Sequence, residues 1–128
     1  MGAPNELSRV AAAGGHLHAA QETMSRDELA AVQLQRLRAT LANAHAHVPW
    51  QRARLDAAGL EPQALRSLDD IRALPFTTKA DLRDQYPFGL FARPVQGLAR
   101  IHASSGTTGK PTVVGYTAGD LERWAELM

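Results

Sequence analysis

The chain has 128 residues, a formal net charge of +1 from 14 basic and 13 acidic residues, and no cysteine. This length suits one domain with a modest core, and the lack of cysteine excludes disulfides, thiolate metal sites and a cysteine nucleophile. The balanced charge favours neither nucleic acid nor an anionic membrane as a partner, and no apolar run approaches the roughly 20 residues that span a bilayer.

The first element in the chain is expected to be a tail, followed by a long helix. Residues 1–24 are rich in alanine and glycine and have no sustained hydrophobic period, so we predict a mobile tail. Ser25 and Glu28 form a capping-box pattern, which marks a helix start. The helix should end near Pro49, because the residue before a proline is pushed away from helical angles. Its apolar stripe consists of Ala30, Leu34, Leu37, Leu41 and Val48.

Further helices should follow in quick succession. A short one is expected over Pro49–Leu55, with Gly59 closing it. Ser67–Asp70 and Thr78–Asp81 each place a carboxylate three residues after a hydroxyl, which indicates two more helix starts. We therefore predict a helical subdomain over residues 25–86.

His45 and His47 could suggest a metal site near the end of the long helix. Side chains two residues apart on a helix point about 200° away from each other, so these two cannot grip one ion together. We expect both to lie near the helix end, where polar or cationic groups suit the helix dipole. No metal site is predicted.

The pattern changes after Pro87. Apolar and aromatic residues over 88–91 favour extended structure, and two strands are predicted over 99–103 and 112–116. Thr117 and Asp120 then open a helix that is expected to continue to the last residue, Met128. The predicted fold class is therefore α+β, with N-terminal helices followed by a strand, a loop, a strand and a final helix.

The loop between the predicted strands, together with the first residue of the second strand, spans residues 104–112 and reads Ser-Ser-Gly-Thr-Thr-Gly-Lys-Pro-Thr. Glycines allow the main chain to approach a ligand closely, and amides, hydroxyls and an ammonium group together suit a polyphosphate such as that of ATP. The loop of about eight residues also exceeds the usual two to five of a hairpin. The candidate binding residues are Ser104, Ser105, Gly106, Thr107, Thr108, Gly109 and Lys110.

This loop is not a Walker A motif. That motif requires glycine where Ser104 stands and a hydroxyl residue where Pro111 follows Lys110. The remaining alternative is an ordinary surface turn, because glycine, serine and threonine also cluster in turns. A lysine and four hydroxyl residues within residues 104–110 exceed what a turn needs.

The loop resembles the phosphate-binding signature of the adenylate-forming ligase superfamily. Its context, Ile101–Thr117 preceded by Phe76–Phe88, closely resembles the phenylacetate-CoA ligase branch, and the likeness runs from about Ser25 to Met128. Many superfamily members carry a lysine after the loop proline. This chain has Thr112 there and its lysine before the proline, which is the arrangement of the phenylacetate-CoA ligase branch.

The resemblance implies that the chain is the leading part of a large N-terminal domain, with residues 87–128 beginning the AMP-binding domain. It also implies ATP with Mg²⁺, coenzyme A and phenylacetate as ligands of a longer enzyme, which forms phenylacetyl-adenylate before the thioester. The loop would bind and position phosphates, and no catalytic acid, base or nucleophile is expected within the chain. We expect the 128-residue piece alone to be inactive and the enzyme to be cytoplasmic.

Several alternatives stay open at this point. The acid could be another aryl or acyl substrate, because the residues that select it are not in the chain. A non-catalytic helical module that forms a homodimer through exposed apolar surface is the alternative from another class. His102 could contact nucleotide, although a strand histidine with one buried face is more frequent, and the spacing of Trp124 with Leu121 indicates a core residue.

Overall fold

The computed structural model describes residues 19–105 and 109–128. The helices are α1 (Ala19–Glu22), α2 (Arg26–His47), α3 (Pro49–Ala57), α4 (Lys79–Asp84) and α5 (Ala118–Glu126). The strands are β1 (Arg100–Ala103) and β2 (Val113–Tyr116), and 3₁₀ turns cover Pro62–Ala64, Leu68–Ala73 and Val95–Gly97. Most of the segment predicted as a tail, 1–24, lies outside the described residues, and its final part contains α1.

The start and the end of α2 follow from local chemistry. The amide of Glu28 donates to the Ser25 hydroxyl at 3.3 Å, and the Ser25 amide donates to the Glu28 carboxylate at 2.8 Å. Val48 ends the helix with extended backbone angles, and Pro49 begins α3. The predicted helix and its capping box are confirmed, and α3 runs two residues beyond the predicted Leu55.

The core of the described residues is built from the predicted stripe of α2. Leu41 packs with Leu55 of α3 and with Leu65, which follows the first 3₁₀ turn, and all three are buried. Leu55 is 1 % exposed. Partly buried leucines surround this cluster: Leu34, Leu37, Leu60 and Leu74. The core therefore lies within the helical part, away from the strands.

Arginine side chains tie the helices to the loops between them. The Arg38 guanidinium donates to the Leu65 carbonyl from both Nε and Nη2. Arg52 Nε donates to the carbonyl of His45 at 2.7 Å, at the end of α2. These contacts satisfy main-chain carbonyls that the ends of helices and 3₁₀ turns leave without an intrahelical partner.

The three later capping boxes are present as predicted, although the helices differ in type and length. The box of Ser67 and Asp70 opens a 3₁₀ helix, and that of Thr78 and Asp81 opens α4. The third box opens α5, which ends at Glu126 rather than continuing to Met128.

The prediction of extended structure over residues 88–91 is wrong. Residues 85–90 form consecutive turns after α4, in which the Gly89 amide donates to the Gln85 carbonyl at 2.8 Å. The Phe91 amide likewise donates to the Phe88 carbonyl at 3.0 Å. The turn brings the Phe88 and Phe91 rings to 5.2 Å between centroids, so aromatic packing outweighs the strand preference of these residues.

The two strands form an antiparallel pair. Arg100 pairs with Tyr116 and Ala103 pairs with Val113, so the segment between the strands connects neighbouring ends of a hairpin. Both strand predictions and the α+β class are confirmed. Within the described ranges, no helix has the length and the apolarity needed to cross a membrane.

Candidate functional site

The base of the predicted phosphate loop is closed by Ser104 and Thr112. The Ser104 amide donates to the Thr112 carbonyl at 2.9 Å, and the Thr112 amide donates to the Ser104 hydroxyl at 3.0 Å. The second bond uses a side-chain oxygen as the acceptor, so the hydroxyl proton of Ser104 is still available to a ligand. Ser104 and Thr112 thus extend the hairpin by one residue pair, and this pair forms the mouth of the loop.

The remaining candidates divide into described and undescribed residues. Ser105, Gly109 and Lys110 are exposed on the loop, whereas Gly106, Thr107 and Thr108 lie outside the described residues. Gly109 has a φ of 133°, a backbone conformation that side chains rarely adopt, and nothing lies within 4 Å of a Cβ placed there. Backbone conformation rather than crowding therefore requires glycine at this position.

An aromatic ring from a distant part of the sequence lies near Lys110. Its Nζ lies 5.9 Å from the centroid of the Tyr86 ring, within the range of a cation–π contact. Tyr86 belongs to the turn that follows α4 and is 41 % exposed. The sequence pattern gives this tyrosine no role beyond its place within the motif Phe76–Phe88.

A second aromatic cluster lies beside the hairpin and consists of His102, Tyr116 and Trp124. The His102 and Tyr116 rings are 5.0 Å apart between centroids, and the Tyr116 and Trp124 rings are stacked at 5.6 Å. His102 is half-buried, as a structural role on the strand predicts. Trp124 is 43 % exposed, so its assignment to the core is wrong: it packs on the hairpin with one face toward solvent.

An open cavity of about 450 Å³ lies between the turn after α4 and strand β2. Phe91, Leu98 and Gly115 form part of its apolar lining, and Asp120 contributes a carboxylate. That carboxylate accepts hydrogen bonds from the Thr117 hydroxyl at 2.7 Å and the Thr117 amide at 2.9 Å, which hold the pKa of Asp120 below its ordinary value. A carboxylate used in this way is poorly suited to act as a general base.

The two histidines near the end of α2 differ in their surroundings. His45 Nε2 lies 2.8 Å from Asp56 Oδ1, and His47 is exposed. In the part of the chain that the structure describes, no group of three or more histidine, aspartate or glutamate side chains could hold a metal ion. The chemistry that this arrangement supports is binding of an anionic ligand by amides, hydroxyls and one ammonium group.

The sequence of the chain is similar to those of curated CoA ligases. The chain is 57 % identical over 107 residues to the phenylacetate-coenzyme A ligase of Escherichia coli, and 54 % identical over the same length to that of Aromatoleum evansii. Each match covers 84 % of this chain and 24 % of the relative. No protein-family model matches the chain.

Solved structures of CoA ligases also resemble the chain. The 2-hydroxyisobutyryl-CoA ligase in complex with 2-HIB-AMP and CoA superposes with a TM-score of 0.73 at 33 % identity, covering 82 % of this chain and 23 % of that one. The same enzyme in its postadenylation state gives a TM-score of 0.72 at 32 % identity. The expected resemblance is confirmed: the chain is homologous to the N-terminal part of adenylate-forming CoA ligases and spans about a quarter of the length of its curated relatives.

Proposed function

We propose that this homologue of the phenylacetate-CoA ligases supplies the polyphosphate-binding hairpin of an ATP-dependent enzyme that converts phenylacetate to phenylacetyl-CoA. The proposal draws on curated relatives that are 51–57 % identical to the chain. Its structural support is the closed loop base, at which two hydrogen bonds between Ser104 and Thr112 join the ends of a hydroxyl- and glycine-rich segment.

The reaction takes place in two steps. A carboxylate oxygen of the acid attacks the α-phosphorus of ATP, a P–O bond forms, and the bond to the departing pyrophosphate breaks. The sulfur of coenzyme A then attacks the acyl carbon, the thioester forms, and AMP leaves with the electron pair of the broken C–O bond. The first step concentrates negative charge on pyrophosphate, so donors fixed around the β and γ phosphates lower its barrier.

The residues of this chain act in the first step. Lys110 balances charge on the outer phosphates, and Ser104 and Ser105 donate hydroxyl hydrogen bonds. Gly106, Thr107, Thr108 and Gly109 complete the proposed loop, with the glycines shaping the backbone. Mg²⁺ would arrive with the phosphates of ATP, because a loop of hydroxyls and amides offers no carboxylate ligand of its own.

The proposal extends to the domain organisation, the location and the partners of the enzyme. Residues 25–86 form a helical subdomain and residues 87–128 begin the AMP-binding domain. The enzyme is cytoplasmic, acts on small molecules and does not use nucleic acid or a membrane as a partner. A homodimer is consistent with exposed apolar side chains such as Phe76, which is 88 % exposed.

The identity of the acid is tested with the full-length ligase that carries this segment. We expect phenylacetate-dependent exchange of label between pyrophosphate and ATP, and no turnover by the 128-residue chain alone. Benzoate and 2-hydroxyisobutyrate serve as the competing acids. Faster exchange with either acid than with phenylacetate would identify that acid as the substrate instead. A complete lack of acid-dependent exchange would reject the ligase proposal.

A further inference from the structure

The Tyr86–Lys110 contact joins two segments that are separate in sequence. Lys110 Nζ lies 5.9 Å from the Tyr86 ring centroid, and Lys110 forms no ion pair with any carboxylate of the described residues. Among the described residues, the Tyr86 ring is therefore the one cation–π or ion-pair partner of this ammonium. A lysine on an exposed loop otherwise samples many rotamers.

The position of Tyr86 is set by the packing of its turn. The Tyr86 amide donates to the Arg83 carbonyl at 3.2 Å, which attaches the residue to the end of α4. The same turn leads to Phe91, whose ring packs against Gly115: a Cβ added to that glycine would lie 2.9 Å from Phe91 Cε2. Because Gly115 lies on β2, the turn is held against the strand that leaves the loop.

A cation–π contact is suited to orienting the Lys110 ammonium toward a phosphate ligand. An aromatic ring attracts the ammonium without neutralising it, whereas a carboxylate would compete directly with phosphate. An ammonium group has three N–H donors, and contact with one ring face leaves donors free for phosphate oxygens. The ring can thus restrict the lysine while keeping its charge available.

We infer that Tyr86 is a positioning residue that holds Lys110 ready for the outer phosphates of ATP, an inference that rests on the proposed function of the loop. The contribution should be modest, because the ring is half exposed and exposed cation–π contacts change binding by about two- to fivefold. It should concern ATP, because the group that Tyr86 approaches is the ammonium of Lys110, the proposed counter-charge of the outer phosphates.

A double-mutant cycle in the full-length ligase tests this inference. Tyr86→Leu should raise the KM for ATP about two- to fivefold with the KM values for acid and coenzyme A unchanged, and Tyr86→Phe should restore the ATP value because the ring remains. In a Lys110→Ala background, Tyr86→Leu should have no further effect. An equal effect of Tyr86→Leu in both backgrounds, or failure of Tyr86→Phe to restore binding, would overturn the inference.

The same set of variants separates this inference from the function on which it rests. If Lys110→Ala raises the KM for ATP and Tyr86→Leu does not, Tyr86 has no positioning role although the loop binds phosphate. If Lys110→Ala leaves the parameters for ATP unchanged, the proposed role of the loop fails and the inference fails with it.

NMR of the 128-residue chain gives a check without turnover: the ring-current shift of the Lys110 methylenes should persist in Tyr86→Phe and disappear in Tyr86→Leu. A shift that survives in Tyr86→Leu would contradict the contact.

Discussion

Ser104 and Thr112 form two hydrogen bonds across the mouth of the loop, one between main-chain groups at 2.9 Å and one from the Thr112 amide to the Ser104 hydroxyl at 3.0 Å. The pair lies directly beyond Ala103 and Val113, the last residues paired in the sheet. A side-chain oxygen here takes the place that a carbonyl would occupy in a longer ladder. The loop consequently begins and ends at a defined separation.

Replacing the Ser104 hydroxyl should loosen this closure. In Ser104→Ala the Thr112 amide loses its acceptor, and a hydrogen bond of this kind contributes about 0.5–1.5 kcal/mol. We expect faster hydrogen exchange of the Thr112 amide, measured by NMR on the 128-residue chain. Ser105→Ala is the matched control, because the loop-closing hydrogen bonds of Thr112 go to Ser104 and not to the neighbouring Ser105. Equal exchange at Thr112 in Ser104→Ala and in the unmodified chain would contradict the proposed closure.

Gly115→Ala should destabilise the fold. A Cβ at this position would lie 2.6 Å from Leu98 Cδ1 and 2.9 Å from Phe91 Cε2, so these side chains or the segments that carry them must shift. Overpacking of this kind costs about 1–3 kcal/mol, which a denaturant titration would detect as a lower free energy of unfolding.

Gly119→Ala is the control for that substitution. Nothing lies within 4 Å of a Cβ at Gly119, which belongs to α5. Alanine there should be neutral or should stabilise the helix by about 0.5–1 kcal/mol. Equal stability of the Gly115→Ala and Gly119→Ala variants would show that the contact with Phe91 does not hold the turn in place.

Lys110→Ala should slow adenylation in the full-length ligase. Removal of the ammonium leaves the departing pyrophosphate with less counter-charge, and we expect a decrease of at least about tenfold, equivalent to about 1.4 kcal/mol. The rate of ATP–pyrophosphate exchange measures this step. Lys79→Ala serves as the control, because Lys79 is an exposed lysine on α4 outside the loop. An unchanged exchange rate in Lys110→Ala would reject its role.

Acid should weaken the fold through the capping carboxylates. The Thr78 hydroxyl and amide hold the pKa of Asp81 below its ordinary value of 3.8, and the Ser67 and Arg66 amides lower the pKa of Asp70 in the same way. A carboxyl with a lowered folded-state pKa stabilises the protein above its unfolded-state pKa and loses that contribution as pH falls through the folded-state value. We therefore expect the free energy of unfolding to be steady near neutral pH and to fall below about pH 4.

Asp81→Asn gives the control for the pH experiment. Asparagine keeps an oxygen acceptor for Thr78 but does not titrate, so the decrease in stability at low pH should become smaller. Denaturant titrations between neutral pH and pH 3 would compare the two proteins. An identical pH dependence would show that Asp81 does not contribute to it.

Local interactions explain why most elements could be predicted. Ser25 and Glu28 are three residues apart, so their reciprocal hydrogen bonds depend only on the start of the helix. Contacts between residues that are distant in sequence could not be predicted from such local patterns. Arg54, for example, donates from Nη2 to the Phe76 carbonyl at 2.5 Å, across 22 positions. An arginine at a helical surface position carries no signal that identifies such an acceptor.

The candidate site shows the same division. Hydroxyls, glycines and a lysine between two short strands predicted an anion-binding loop, because together they supply hydrogen-bond donors, close approach of the main chain and one positive charge. Neither the closure by Ser104 nor the approach of Tyr86 to Lys110 could be predicted. The first depends on the register of the hairpin, and the second on a turn that aromatic packing formed in place of the expected extended segment.

The amino-acid sequence by itself determined the order of helices and strands, the capped helix starts and the chemical character of the loop, because each depends on residues within a few positions of one another. Only the tertiary structure decided which side chain accompanies Lys110, that Trp124 lies at the surface and that Phe91 meets Gly115. Those contacts join segments separated by many residues. They are selected by packing and close approach, which hydrophobic patterns and capping rules do not specify.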